Sequence, residues 1–130
     1  MRPLKPAEVL PSLPDETDWP ARVAHGTPAL LAYLDLEQRF RFANDTHRRW
    51  LGIDPQQLIG QRLIDVVGRR NHELASAALA RAYAGHMASY EGELYNGSER
   101  RYAHGNFQPD LDADGRVCGI FTALVDITER

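Results

Sequence analysis

The side chains that could carry chemistry in this sequence are a single cysteine, Cys118, and five histidines. One cysteine excludes an intrachain disulfide and a thiolate metal cage. The histidines occur singly rather than at the spacings that bind a metal ion, and the sequence has no glycine-rich phosphate loop. We therefore predict no catalytic residues and no metal site, and we expect Cys118 to be a small core residue.

Three histidines and a pair of arginines remain as candidate binding groups. His47 could hydrogen-bond a ligand or respond to pH near neutrality, although we expect a structural histidine there. Arg69 and Arg70 precede a predicted helix, whose first amides favour an anion, but a solvated basic pair is the expected role. His72 and His86 lie at the two ends of the same helix. None of these groups defines a function by itself.

The element that must position these groups is an apolar segment at residues 117–127. It contains one charged side chain, so both of its faces are apolar, as in a strand buried on both sides. Its β-branched and aromatic residues favour a strand over a helix. The turn residues 112–115 precede it, and Gly115 can adopt a positive φ. The pattern predicts a hairpin that leads into a central strand.

The rest of the pattern predicts an α+β domain. Apolar runs at 30–35 and 39–42 indicate a first hairpin, and strands at 89–95 and 101–108 precede the final strand. Between them, an alanine-rich apolar stripe at 71–85 predicts the one long helix. An antiparallel sheet with the helices gathered on one face is the most economical packing.

Two further features set the boundaries of the predicted helices and domain. Asn71 is expected to cap the long helix, after a short helix at 63–67. Six prolines mark residues 1–28 as a leader rather than core, with a short cap helix around 18–26. Residues 29–130 form the predicted domain.

Composition excludes two classes of partner. The formal net charge is −3, and the basic residues form no stripe, so we expect no nucleic-acid binding. No apolar run approaches the roughly 20 residues of a membrane span, and no secretory signal is present. We expect a cytoplasmic protein without membrane contact.

Several short motifs occur in a characteristic order: Leu34-Asp35, 39–44, Trp50-Leu51-Gly52, Leu58-Ile59-Gly60, 112–115 and Asp126-Ile127-Thr128. Together they resemble a PAS domain, of the group that carries small-molecule sensors in bacterial signalling proteins. The resemblance implies a five-stranded antiparallel sheet in the order 2-1-5-4-3 with helices on one face. It also implies that Asp126, Ile127 and Thr128 form the junction to a signalling helix. We expect a covalently linked output domain, of two-component or cyclic-di-GMP signalling, that is missing from this chain.

Strand alternation, combined with the family's register, directs one face of the sheet towards the helices and predicts a pocket between them for an unknown small molecule. The predicted pocket residues are Leu34, Phe42, Asn44, His47, Trp50, Leu58, Val66, Leu74, Ala78, Ala103, Gly105, Phe107, Ile120, Thr122 and Leu124. Small residues on the inward faces, such as Gly105, would leave room for a ligand. The alternative is that large neighbours such as Trp50 fill the space.

Two registers are open for the strand at 89–95. We favour Tyr90, Gly92 and Leu94 inward, because the opposite register would bury Glu91 and Glu93 without partners.

The cofactor is unknown. The resemblance disfavours haem, because His72 and His86 lie at the ends of the long helix rather than within its apolar stripe. It also disfavours a covalent flavin adduct, because no cysteine occurs near the start of that helix.

The outward face of the sheet is a second predicted surface. Its apolar side chains, with those of the leader helix, form the dimer or cap surface Trp19, Val23, Tyr102, Phe121, Ala123 and Val125. An exposed apolar patch of this kind requires a cover, which the leader helix could provide within its own chain or across a two-fold axis. We expect a homodimer.

These patterns favour a non-catalytic PAS sensory and dimerisation module that binds a small ligand and signals through its last strand. Two alternatives remain open. The first is a purely structural dimerisation module with a filled pocket. The second is a small isomerase of cone-shaped fold that would use an inward carboxylate, such as Asp65 or Glu93, as its base.

Overall fold

The computed structural model describes residues 18–128. In chain order they form α1 (Trp19–Gly26), β1 (Leu30–Leu34), β2 (Phe40–Ala43), α2 (Thr46–Leu51), α3 (Pro55–Leu58), α4 (Leu63–Tyr83), β3 (Ala88–Asn96), β4 (Glu99–Leu111) and β5 (Val117–Asp126). The strands form one antiparallel sheet in the order β2-β1-β5-β4-β3. The predicted α+β class and strand order are confirmed.

Strand β5 lies in the middle of the sheet, paired with β1 on one side and β4 on the other. Its inward residues Ile120 and Thr122 are buried, as expected for an apolar segment covered by helices. The turn before it is fixed by the Asp112 carboxylate, which accepts hydrogen bonds from the amides of Asp114 and Arg116. The predicted hairpin and central strand are therefore confirmed.

Strand β4 is longer than predicted, and it contains Pro109. A proline has no N–H and is tolerated only where a strand has an open edge. Strand β3 pairs with β4 only as far as Phe107, so beyond that point β4 has a neighbour on one side alone. The missing N–H of Pro109 therefore breaks no pairing with β3.

Helix α4 is interrupted at Gly68, whose φ of 84° and ψ of 162° are not helical. The predicted short helix at 63–67 and the long helix after it are thus both present. The predicted cap was wrong, because Asn71 lies within the helix. Its side chain donates to the carbonyl oxygens of Val67 and Tyr95 and accepts from the Tyr95 amide. Asn71 therefore ties α4 to the end of β3.

The core lies between the inner face of the sheet and α4. The helix contacts the sheet through Ala75, Ala78, Leu79 and Ala82, all buried, and the small alanines allow the helix to approach the strands closely. Leu74 packs on Gly92, where an added Cβ would lie 2.7 Å from both leucine methyl groups.

Two β-bulges reverse the facing expected from strict alternation. In β2 the register passes from Phe40 to Phe42 without a partner for Arg41, so Phe42 turns to the outer face. At the start of β5 the register skips Cys118, which is exposed. The predictions of an inward Phe42 and a core Cys118 were wrong, because a bulge adds one residue to a strand, so the side chains on its two sides no longer follow one alternation.

Helix α1 forms where the sequence predicted a cap helix, with Pro20 in its first turn. Asp18 occupies the N-cap position, but its side chain makes no capping hydrogen bond. The rest of the predicted leader, up to residue 17, lies outside the described residues.

Candidate functional site

A cavity of about 350 Å³ lies between the inner face of the sheet and the helices α2 and α4. Of the predicted pocket residues, those that line it are Leu34, His47, Trp50, Val66, Phe107, Thr122 and Leu124. They come from three strands and two helices that are distant in sequence, so only the folded chain brings them together. Most of this wall is aliphatic or aromatic.

The other predicted pocket residues lie elsewhere. Leu58, Ala78 and Ile120 belong to the packed core, and Ala103 is buried without reaching the cavity. Leu74 covers Gly92 instead. Phe42 lies in the outer groove, and a buried side chain lines a cavity only where its neighbours leave space.

The space above Gly105 is filled by the ring of Tyr90. A Cβ added at Gly105 would clash with the ring carbons of Tyr90, and the same ring stacks on Phe107 with centroids 5.4 Å apart. The expectation that Gly105 leaves room for a ligand was therefore wrong. Tyr90 itself lines the cavity, and burial raises the pKa of its hydroxyl to about 12, so the phenol stays neutral.

The facing of β3 follows the favoured register. Tyr90 and Leu94 line the cavity, whereas Glu91 pairs with His104 at 3.0 Å on the outer face. Glu93 is exposed and accepts a hydrogen bond from the Tyr95 hydroxyl. Neither glutamate is therefore a cavity residue.

Asn44 is fully buried and holds four segments together. Its side-chain amide donates to the carbonyl oxygens of Ala24 in α1 and Ala29 before β1, and its Oδ1 accepts from the Leu31 amide. It was predicted as a pocket residue, but it does not line the cavity. Its role in this structure is to fix α1 and to orient His47.

His47 is 3% exposed and lines the cavity. Its Nδ1 lies 2.9 Å from the backbone oxygen of Asn44 and 3.1 Å from Asn44 Oδ1. Burial holds the pKa of its imidazole below the ordinary value, against the smaller effect of the Asn44 hydrogen bond. The ring is therefore neutral at physiological pH.

Arg101 lies at the rim of the cavity and was not predicted. Its guanidinium carbon lies 4.8 Å from the centroid of the Trp50 ring, and its Nη1 donates to Asp126 Oδ2 over 2.8 Å. The alternation that placed Ala103 and Phe107 inward would also have placed Arg101 inward, had it been followed two residues further back along β4.

The predicted junction residues join the end of β5 to β4 by hydrogen bonds. The amide of Ile127 donates to the Tyr102 carbonyl oxygen over 2.7 Å, and the Thr128 hydroxyl accepts from the Tyr102 amide. Asp126 accepts hydrogen bonds from the hydroxyl and amide of Thr128. These bonds, with the smaller contribution of Arg101, hold the pKa of the Asp126 carboxyl below its usual value.

The outer face of the sheet is partly covered by α1. Pro20, Ala21 and Ala24 of α1 face an apolar groove that Phe121 and Ala123 line from the sheet. Trp19 and Val23, the α1 residues of the predicted dimer or cap surface, do not line this groove. Of the predicted dimer or cap surface, the side chains that stay exposed are Trp19, Val23, Tyr102, Phe121 and Val125.

The remaining candidates stay at the surface or at the rim. Arg69 is exposed, while the exposed Arg70 stacks on Tyr95 with its guanidinium carbon 3.8 Å from the ring centroid. His72 lies at the rim, where its Nε2 is 2.9 Å from Gln38 Oε1. His86 is exposed. Across residues 18–128, no three His, Cys, Asp or Glu side chains are grouped to hold a metal ion.

No helix within the described part of the chain is long and apolar enough to cross a membrane.

Comparison with known proteins gives a consistent result. Residues 24–130 match the family model described as the PAS fold. The PAS domain of a protein from Colwellia psychrerythraea superposes with a TM-score of 0.73 at 17% identity, covering 89% of this chain and 100% of that one. The PAS domain of BvgS from Bordetella pertussis gives 0.70 at 24% identity, covering 90% of each chain.

A third solved structure, a complex of VqmA from Vibrio cholerae with a ligand and DNA, gives a TM-score of 0.72 at 16% identity. The match covers 86% of this chain and 51% of that one. At these identities the likeness shows the fold alone. A comparison with curated proteins gave no match.

Proposed function

The chain belongs to the PAS-fold family, and on that premise we propose that it is a sensory module of a signalling protein. In this proposal a small molecule binds in the cavity between the sheet and α4. Binding changes the conformation of the protein, and the junction of Asp126, Ile127 and Thr128 transmits that change to a following segment. PAS domains are generally non-catalytic sensory modules, and we propose the same for this chain.

The observation that carries the proposal is the position of Arg101. One guanidinium group contacts both the Trp50 ring, which lines the cavity, and the carboxylate of Asp126, the first junction residue. A ligand that displaces the Trp50 ring would therefore change the surroundings of Asp126 directly. A signal of this kind requires that these residues pack in two alternative ways and that the ligand bind one of the two conformations more tightly.

The cavity itself supports binding. Its volume of about 350 Å³ lies at the small end of the range typical of ligand sites. Its wall is mainly apolar, with a few polar groups, which is the usual composition of such sites. The VqmA structure, a relative in fold, also contains a ligand.

The test is whether the purified protein carries or takes up a small molecule. Native mass spectrometry is expected to show a bound mass that Val66→Trp abolishes, because the indole would occupy the cavity. The matched control is Ala77→Trp, on the exposed face of α4, which should leave the bound mass unchanged. A cavity that stays empty and takes up nothing would support a purely structural module instead.

The exposed apolar side chains of α1 and the outer sheet favour self-association. We propose that a second copy of the chain covers them, since α1 leaves Val23 61% and Phe121 50% exposed. A two-fold pair would bury the same patch on both copies. This dimer is compatible with ligand binding, because the two surfaces lie on opposite faces of the sheet.

The proposed setting is the cytoplasm, with an output domain joined after the junction. An exposed, unpaired cysteine such as Cys118 suits a reducing compartment. A cone-fold isomerase is the less favoured alternative, because Glu93 faces outward and Asp65 is exposed at the rim. Neither carboxylate is placed as an inward base.

A further inference from the structure

We infer that His47 selects the ligand by accepting one hydrogen bond at Nε2, so the molecule that fits is small, uncharged and mainly apolar and presents an N–H or O–H donor. This inference rests on the proposed function and specifies the chemistry of the ligand at the same site.

The tautomer of His47 follows from its neighbours. The orientation of the Asn44 amide is fixed, because Oδ1 accepts from the Leu31 N–H while Nδ2 donates to two backbone carbonyls. Both Asn44 oxygens near His47 Nδ1 are therefore acceptors. Nδ1 must carry the proton, and in a neutral ring Nε2 is then a lone-pair acceptor.

The direction of Nε2 follows from the pattern of burial. Among the described residues, every fully buried side-chain nitrogen or oxygen has a hydrogen-bond partner. Nε2 has none, so it must contact open space. Because His47 is 3% exposed and lines the cavity, that open space is the cavity. A buried acceptor without a protein partner requires one from water or a ligand.

The surroundings define the rest of the ligand. Phe40, Trp50, Tyr90 and Phe107 present aromatic groups to the cavity, and flat apolar molecules pack well against such rings. The charged side chains that line it, Asp65 and Arg101 among them, belong to its rim. A charged ligand group near His47 would be desolvated without a counter-charge, which is strongly unfavourable.

The test compares two probes that have the same shape and differ in one donor, indole and benzofuran. Both are flat, uncharged bicycles, but only indole has an N–H. By isothermal titration calorimetry, wild-type protein should bind indole about three- to tenfold more tightly than benzofuran, the range expected for one net hydrogen bond. His47→Phe should reduce that ratio to about one, whereas the surface control His86→Phe should preserve it.

A second measurement does not depend on any variant folding. Nitrogen-15 NMR of the histidine side chains should show His47 of the wild-type protein with its proton on Nδ1 and a bare Nε2. Addition of indole should shift the Nε2 resonance more than addition of benzofuran does.

The outcomes separate this inference from the proposed function. Equal affinity for both probes, or a proton on Nε2, would overturn the selection by His47 and leave ligand binding intact. A visible absorption band that His47→Phe removes would also overturn it, because Nε2 would then bind a metal centre. If neither probe binds and no molecule co-purifies, both the inference and the proposed sensory function fail.

Discussion

Arg101 and Asp126 are joined by a hydrogen-bonded ion pair of 2.8 Å that connects the rim of the cavity to the end of the central strand. Both side chains are about one-third exposed, at 31% and 30%, so the pair is neither buried nor fully solvated. Its significance lies in its position. Arg101 also covers the Trp50 ring, and Asp126 is held by Thr128.

The first prediction concerns the strength of that pair. A double-mutant cycle with Arg101→Met and Asp126→Asn should give a coupling of about 0.5–1 kcal/mol in urea unfolding, the upper range for partly exposed pairs. The same cycle on the more exposed pair Arg62 and Asp65, with nitrogen and oxygen 3.2 Å apart, should give about half as much or less. Equal couplings in the two cycles would contradict the special position of Arg101.

The second prediction concerns the packing of Tyr90. Gly105→Ala would place a methyl group against the Tyr90 ring, which would have to leave its stacked position on Phe107 to make room. We expect the free energy of unfolding to fall by about 1–3 kcal/mol, as for other overpacked cores. In the control, Gly26→Ala, the added methyl meets nothing within 4 Å, and stability should be nearly unchanged. A neutral Gly105→Ala would mean that Tyr90 does not occupy this space.

The third prediction concerns Asn44. Asn44→Ala would leave the Leu31 amide and the carbonyls of Ala24 and Ala29 without their partner. We expect a loss of about 2–4 kcal/mol, because buried polar groups without partners are destabilising. Limited proteolysis should also become faster within α1, which Asn44 helps to hold. Asn106→Ala, at an exposed position of β4, is the control that should show neither effect.

The fourth prediction concerns pH. The folded state holds the His47 pKa below its ordinary value of 6.5, so between the two pKa values the unfolded chain binds more protons. Stability therefore rises with pH. It should be complete above about pH 6.5 and fall as the pH drops from there towards the lower folded pKa. Chemical unfolding from pH 5 to 7.5 should show this slope reduced in His47→Phe, and an unchanged slope would contradict it.

The fifth prediction concerns the proposed dimer. Val23→Glu adds a charge to an apolar side chain of α1 that is 61% exposed, so the isolated chain should stay folded while self-association weakens at least tenfold. Analytical ultracentrifugation would measure the change. Ala77→Glu, on the exposed face of α4, should leave association as in the wild type. A chain that is monomeric at all concentrations would remove the proposed interface.

Much of the fold could be predicted from local sequence. The apolar composition of residues 117–127 places that strand in the centre, because only a central strand covered on both faces tolerates so few polar groups. The glutamates at 91 and 93 set the facing of β3, because burying two carboxylates without partners is strongly unfavourable. The alanines of α4 indicate close helix packing. Each of these signals depends on the residues of one element alone.

The lining of the cavity could not be predicted in the same way, because it depends on contacts between elements that are distant in the sequence. Alternation fixes the side-chain facing within a strand, but a bulge arises from the register between two strands, so Phe42 and Cys118 were placed on the wrong face. Whether an inward position lines open space is decided by a neighbour, as when Tyr90 fills the space above Gly105.

The same distinction applies to the residues that define the candidate site. The sequence, through its resemblance to the family, predicted His47 as a pocket residue. Only the tertiary structure placed Asn44 against its Nδ1 and left Nε2 facing the cavity. Only the tertiary structure brought Arg101 to both Trp50 and Asp126. The hydrophobic pattern of one element indicates which of its side chains are buried. Hydrogen-bond partners and cavities depend instead on how segments that are far apart in the chain pack together.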